Sequence, residues 1–231
     1  MSEISPTEWT AILLSLRVAI IATLVATPFG IALAWLLARR DFWGKSILDA
    51  AVHLPLVLPP VVTGYLLLLT FGKRGLVGAW LADHLGIVFA FRWTGAALAC
   101  GVMSFPLLVR PIRLSIEAID RRLEQASSTL GAAPWQVFAT VTLPLALPGI
   151  LAGMVLGFAK AIGEFGATIT FVSNIPGETQ TISSAIYSLI QTPDGDRAAL
   201  RLVVVSIVIA MAALVASEWF ARRATQRLHG N

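Results

Sequence analysis

Five apolar runs of roughly spanning length, Ala11 to Ala38, Ile47 to Phe71, Thr94 to Ile116, Leu145 to Gly163 and Leu200 to Phe220, leave this chain few ways to fold. A helix needs about 20 apolar residues to cross about 30 Å of hydrocarbon. No backbone polar group can be left unpaired on the way. Only 13% of the residues are charged and 57% are hydrophobic, whereas globular domains carry about 25% charged residues, so one water-filled surface around one core does not fit. The pattern predicts an all-α integral membrane protein: a polytopic bundle of about five transmembrane helices, forming a single domain over residues 1–231.

Glu3 and Glu8 precede the first run where a cleavable signal peptide would have basic residues. Cys100 is the only cysteine, which excludes an intrachain disulfide. The net charge of +4 is spread over the ends of the apolar runs instead of forming a stripe, so membrane topology explains it better than nucleic acid does. Trp9, Trp43, Trp93 and Trp219 fall near run ends, where an indole suits the membrane interface or packs between helices. Arg110 and Arg113 interrupt the third run and Lys160 the fourth.

Pro55, Pro59 and Pro60 in HLPLVLPPVV predict a kinked second span, because each proline removes a helix hydrogen bond. His53 lies in the same stretch with no second ligand at metal-site spacing, so a structural role is favoured and no metal is expected. Between 164 and 199 the runs Phe165 to Val172 and Ile182 to Ile190 are too short to span, and Ser173, Asn174, Pro176 and Gly177 separate them. They predict either a re-entrant, pathway-lining element or a loop capping the bundle. Lys160 and Glu164 stand four residues apart and either pair within the membrane or snorkel to its surface. The WGKS of Trp43 to Ser46 lacks the earlier glycine of a phosphate-binding loop. With no Ser-His-Asp set, paired catalytic carboxylates or Cys/His cluster, the chain reads as a non-enzyme without a cofactor.

The polar island over residues 121–144 contains EQASSTLGAAPWQVFATVTLP and ends in a proline stop. Ala126, Leu130, Trp135 and Val137 to Phe138 recur at three-to-five-residue spacing, giving one apolar face on a short helix pair broken at Gly131 and Pro134. Periodicity alone allows either a docking helix for a protein partner or an amphipathic helix lying on the membrane. The island resembles the signature loop of binding-protein-dependent ABC importer permeases: Glu-Ala-Ala, three residues, Gly, nine residues, Ile-x-Leu-Pro. Gly131 is the glycine, Ala132 to Thr140 are the nine, and Val141, Thr142, Leu143 and Pro144 close the pattern. Gln125, Ala126 and Ser127 occupy the Glu-Ala-Ala positions, and Glu124 stands one place early.

HLPLVLPPVVTGYLLL, MSFPLLVRPIR and GEFGATITFVSNIPGETQTI extend the likeness to the molybdate permeases of that family over nearly the whole chain. The resemblance implies a type I ABC importer permease fold and a second copy of the chain, with the pathway between the two. It also implies two cytoplasmic ABC ATPase subunits docked on a coupling loop that includes Glu124, Gln125, Ala126, Gly131, Ala132, Trp135 and Pro144, and a periplasmic substrate-binding protein. Molybdate, with tungstate, is the oxyanion implied, and sulfate or thiosulfate the alternative. A free-standing channel or secondary transporter is a rival reading that would need no docking loop. Pro59, Pro60, Ser104, Glu164, Thr168, Thr170, Ser173 and Asn174 are the candidate pathway or gate residues. With the loop inside, ten basic residues flank the runs on the inner side (Arg39, Arg40, Lys45, Arg110, Arg113, Arg121, Arg122, Arg222, Arg223 and Arg227) against five outside (Lys73, Arg74, Arg92, Arg197 and Arg201). This favours a periplasmic N terminus and a cytoplasmic C terminus in a bacterial inner membrane.

Overall fold

The computed structural model describes residues 4–229, with side chains described as far as Ala216 and at Trp219; the side chains of Arg222, Arg223 and Arg227 lie outside the described residues. Eleven α-helices follow in chain order among the described residues: α1 (Pro6–Arg39), α2 (Lys45–Val57), α3 (Pro60–Phe71), α4 (Leu76–Leu85), α5 (Trp93–Glu117), α6 (Arg121–Thr129), α7 (Pro134–Val137), α8 (Leu143–Ile162), α9 (Gly166–Val172), α10 (Ile182–Leu189) and α11 (Asp196–His229). Four helical segments are long and apolar enough to cross a membrane, and α2 with α3 makes a fifth if that bent pair is counted as one span.

The second run is a break, where the sequence predicted a kink. α2 and α3 meet at 114°, because Leu58 and Pro59 both adopt extended backbone. Pro59 and Pro60 lack N–H groups, and a residue before proline is pushed out of the helical region. Pro60 then starts α3, where its missing donor costs nothing. α4 was not foreseen: LVGAWLADHL is too short to signal a span.

α5 is the central helix, gripped by α1 on one side and α8 on the other. Lipid tails are as apolar as leucine, so close packing holds such helices together. Gly149, Gly153 and Gly157 put the small residues of α8 against α5, and a methyl group at Gly153 would sit 2.5 Å from the Leu108 carbonyl oxygen. Leu108, Ile112 and Ile116 of α5 are fully buried beside this seam.

The two ends of the bundle are fastened by charge. At one end Arg113 of α5 bridges Asp49 of α2 (2.8 Å) and Glu117 (2.8 Å). At the other, Glu8 closes a capping box with Ser5 and accepts from Arg201 of α11 at 2.8 Å. Ile182 N–H donates to Ser15 Oγ at 2.7 Å, tying α10 to α1.

Candidate functional site

At the end where α1 finishes, α6 is a nine-residue helix capped by Asp120, whose carboxylate accepts from Arg122 N–H at 2.9 Å. It stops at Gly131, whose φ of +89° is the left-handed geometry that glycine supplies at helix ends. Pro134 restarts the chain, and the Gln136 side chain accepts from Ala133 N–H at 2.8 Å. The expected proline stop at Pro144 is corrected. α7 runs through a π turn, Phe138–Thr142, directly into α8, so that Pro134–Ile162 is one 29-residue helical segment. Pro144 lies in the first turn of α8, directly after the π turn, where its missing N–H removes one hydrogen bond without ending the helical segment.

Glu124 is the hub of this end. Its carboxylate accepts from Arg39 Nε of α1 at 3.1 Å, with side-chain exposures of 18% and 8% for Glu124 and Arg39. It also accepts from Thr142 Oγ1 at 2.7 Å. Arg39 donates in addition to the Ile119 carbonyl at 3.2 Å. Trp35 of α1 packs edge-on against Phe138 of the π turn at 6.0 Å between ring centroids. One carboxylate therefore joins α1, α6 and the root of α8.

The single apolar face expected of the loop divides in two. Val137 is buried and Phe138 half-buried against α1, whereas Leu130 is 89% and Trp135 70% exposed. Gln125 and Ala126 are exposed and Ala132 is half-buried. A groove of about 490 Å³ lies beside them, lined by Trp35, Arg121, Gln125, Ser128 and Pro134 among others.

The pathway candidates separate into three places. Pro59 and Pro60 at the α2/α3 break meet the α8/α9 break: a methyl group at Gly166 would lie 2.7 Å from Pro60 Cβ. Gly64 lets α3 lie directly on α9, since a methyl there would reach 2.5 Å from the Ala167 carbonyl and 2.9 Å from Thr170 Cβ. Glu164 sits at this junction, buried, paired with Lys160 at 2.6 Å and accepting from Ala167 N–H at 3.1 Å. The four-residue spacing thus produces an ion pair with its carboxylate inside the bundle, not at a surface. Thr168 and Thr170 donate to the Phe165 and Gly166 carbonyls, while Thr63 Oγ1 of α3 is buried without a protein partner.

Ser104 is packed at the centre of α5 and donates to the Gly101 carbonyl. Ser173 and Asn174 lie at the far end of α9, where Asn174 Nδ2 donates to Ser188 Oγ of α10 at 2.7 Å. His53 Nδ1 lies 2.8 Å from the Asp49 carbonyl oxygen, and among the described residues no group of three or more His, Cys, Asp or Glu gathers.

Residues 26–228 match the family model described as binding-protein-dependent transport system inner membrane component. The chain belongs to this family. The permease is similar over 220 residues, at 61% identity, to the molybdenum transport system permease protein ModB of Escherichia coli K12, covering 95% of this chain and 96% of that one. The ModB of Haemophilus influenzae is 55% identical over 96% of each chain, and a probable sulfate transport permease of Chlorella vulgaris is 36% identical over 82% of this chain and 71% of that one. Among solved structures, a bacterial alginate ABC transporter superposes with a TM-score of 0.73 at 20% identity, covering 95% of this chain and 80% of that one. The MetNI methionine ABC transporter does so with 0.68 at 17% identity, covering 97% and 99%. The all-helical importer-permease fold expected from the sequence is therefore the observed one, and the permease is a multi-pass inner-membrane transport component.

Sequence reasoning did not find Arg39 or Thr142 as partners of Glu124, nor Gly64 and Gly166 as the contact between broken helices. The VTLP element held the signal for Thr142, but only as spacing.

Proposed function

We propose that this permease translocates molybdate, and tungstate with it, as one of two copies in an ABC importer powered by separate ATPase subunits. The observation that carries the substrate is the 61% identity over 95% of the chain to a molybdenum transport permease. The sulfate permeases are more distant. Two ATPase subunits dock on residues 121–144, and a periplasmic binding protein delivers the oxyanion to the opposite end. The N terminus lies in the periplasm and the C terminus in the cytoplasm, as the distribution of basic residues favours.

Leu130 and Trp135 are what an ATPase groove would cover, since a displayed apolar tip costs free energy until a partner buries it. Trp135 stands in the first turn of the 29-residue segment that ends at Ile162, next to the α8/α9 break, so a push on the loop travels along one continuous helical segment to the junction with α3. Glu124 fixes the other arm of the lever to α1. ATP-driven approach of two such loops rocks the spans between inward-open and outward-open arrangements.

At the junction, Pro59, Pro60, Glu164, Thr168 and Thr170 form the gate, with Ser104, Ser173 and Asn174 along the route. Neutral donors suit a passing dianion. In a dehydrated pathway a few aligned hydroxyl and N–H groups are worth several kcal/mol, comparable to partial desolvation, whereas an unpaired fixed cation would hold the ion. Lys160 and Glu164 cancel each other's charge and leave the gate without one. The test is molybdate uptake into vesicles containing this chain, the binding protein and ATP, with and without the ATPase and with excess sulfate. Uptake that needs the ATPase and ignores sulfate supports the proposal; uptake that persists without the ATPase, or that sulfate abolishes, overturns it.

A further inference from the structure

α1 is 34 residues long, about 51 Å at 1.5 Å per residue, and so exceeds about 30 Å of hydrocarbon. The 23 residues from Arg17 to Arg39 fit that thickness and are bounded by arginine at both ends. Arg39 is paired with Glu124. Arg17 is exposed, with no carboxylate partner among the described residues, and its guanidinium lies 3.8 Å from the ring centroid of Trp93, the first residue of α5. A tryptophan at a helix start marks the headgroup level, so Arg17 is a cation without a carboxylate partner among the described residues at the depth of lipid phosphates.

An apolar crevice of about 550 Å³ begins at the same Trp93 and runs between α1 and α5 toward the membrane centre. Val25 and Phe29 form one wall, with exposures of 58% and 65%. Ala97, Gly101 and Phe105 of α5 line it as well. From Trp93 to Phe105 the crevice follows 12 residues of α5, about 18 Å, which suits an acyl chain. Lys73, Arg74 and Arg92, in the turns between α3 and α5, add positive charge at the same end of α5. A twofold contact between copies of this face would set it against itself, bringing a second Arg17 against a crevice whose lining residues carry no charge.

We propose that this crevice is a binding site for one anionic phospholipid, its phosphate on Arg17 and one acyl chain between α1 and α5. The site is independent of which ion the permease carries. A guanidinium binds a phosphate through paired N–H donors, and its stacking on Trp93 fixes the orientation of the fork.

The test uses the assembled permease and ATPase complex, exchanged into vesicles of equal parts phosphatidylglycerol and phosphatidylcholine and then examined by native mass spectrometry for retained lipid. The native complex should keep phosphatidylglycerol over phosphatidylcholine by about fivefold or more. Arg17→Gln should bring that ratio to about one while leaving lipid bound. Gly101→Leu should lower retention of both lipids severalfold: a Cβ there meets nothing nearer than 3.8 Å, so the branch starts in open space and projects into the crevice that Gly101 lines. Arg17→Gln, at an exposed position, carries the test alone if Gly101→Leu fails to assemble. An unchanged headgroup ratio in Arg17→Gln, or unchanged retention in an assembled Gly101→Leu complex, overturns the proposal. So does efficient crosslinking between copies through Val25→Cys, which would place the second chain in the crevice.

Discussion

Replacing Glu124 by Ala removes both the 3.1 Å ion pair to Arg39 and the 2.7 Å hydrogen bond from Thr142. The Arg39 side chain is only 8% exposed, so it is left with the Ile119 carbonyl as its partner. Breaking a buried pair by deleting one member costs about 3–5 kcal/mol. The remaining carbonyl bond and the 18% exposure of Glu124 bring the expected cost to about 2–3 kcal/mol. At 1.4 kcal/mol per tenfold, the population in which the loop is detached from α1 rises by roughly 30- to 150-fold. Thr142→Val, losing one hydrogen bond, should cost about 1 kcal/mol, and Glu124→Gln should fall between the two. The assay measures molybdate taken up and ATP hydrolysed in the same reconstituted vesicles. Uptake per ATP should decline in the order native, Thr142→Val, Glu124→Gln, Glu124→Ala, with hydrolysis falling less than uptake. A Glu124→Ala permease that assembles and transports with native uptake per ATP would refute the hub.

Three further outcomes follow from the geometry. Lys160→Met strands the buried Glu164 carboxylate at the proposed gate, so molybdate uptake should drop at least tenfold while the ATPase stays bound; native uptake would remove the junction from the pathway. Thr170→Lys puts an unpaired cation beside α3 and should slow release of the anion, seen as a lower maximal uptake rate with little change in the molybdate concentration for half-maximal uptake. Gly153→Leu drives a side chain into the Leu108 carbonyl at 2.5 Å, and overpacking of about 1–3 kcal/mol or more should appear as loss of folded permease in detergent, measured by thermal aggregation.

The spans were legible because hydrocarbon thickness imposes a length that sequence displays directly. α1, α5 and α8 appear where apolar runs predicted them, and Arg110 and Arg113 did not interrupt α5, since Arg113 finds Asp49 and Glu117 at the bundle's end. The PP pair was legible as a disruption but not as a 114° turn, because the angle depends on what α3 packs against, and that surface is α9 with Gly64 and Gly166 between them. α4 escaped notice because ten residues between glycines give too little periodicity. In the loop, Gly131 was readable from spacing and its φ accords with it. The role of Glu124 was not, since its partners are 85 residues earlier and 18 later. Its offset from the signature position becomes intelligible in three dimensions: this carboxylate faces its own α1 and π turn, while Gln125 is exposed on the outer side.

The most direct test of coupling is ATP-driven molybdate uptake with Leu130→Asp and Trp135→Asp combined. Both side chains are largely exposed, so the fold should persist. The doubly substituted permease should insert normally, retain little ATPase on purification and take up molybdate at a few per cent of the native rate. Native uptake with the ATPase still bound would contradict it and would leave residues 121–144 as a helix resting on the membrane.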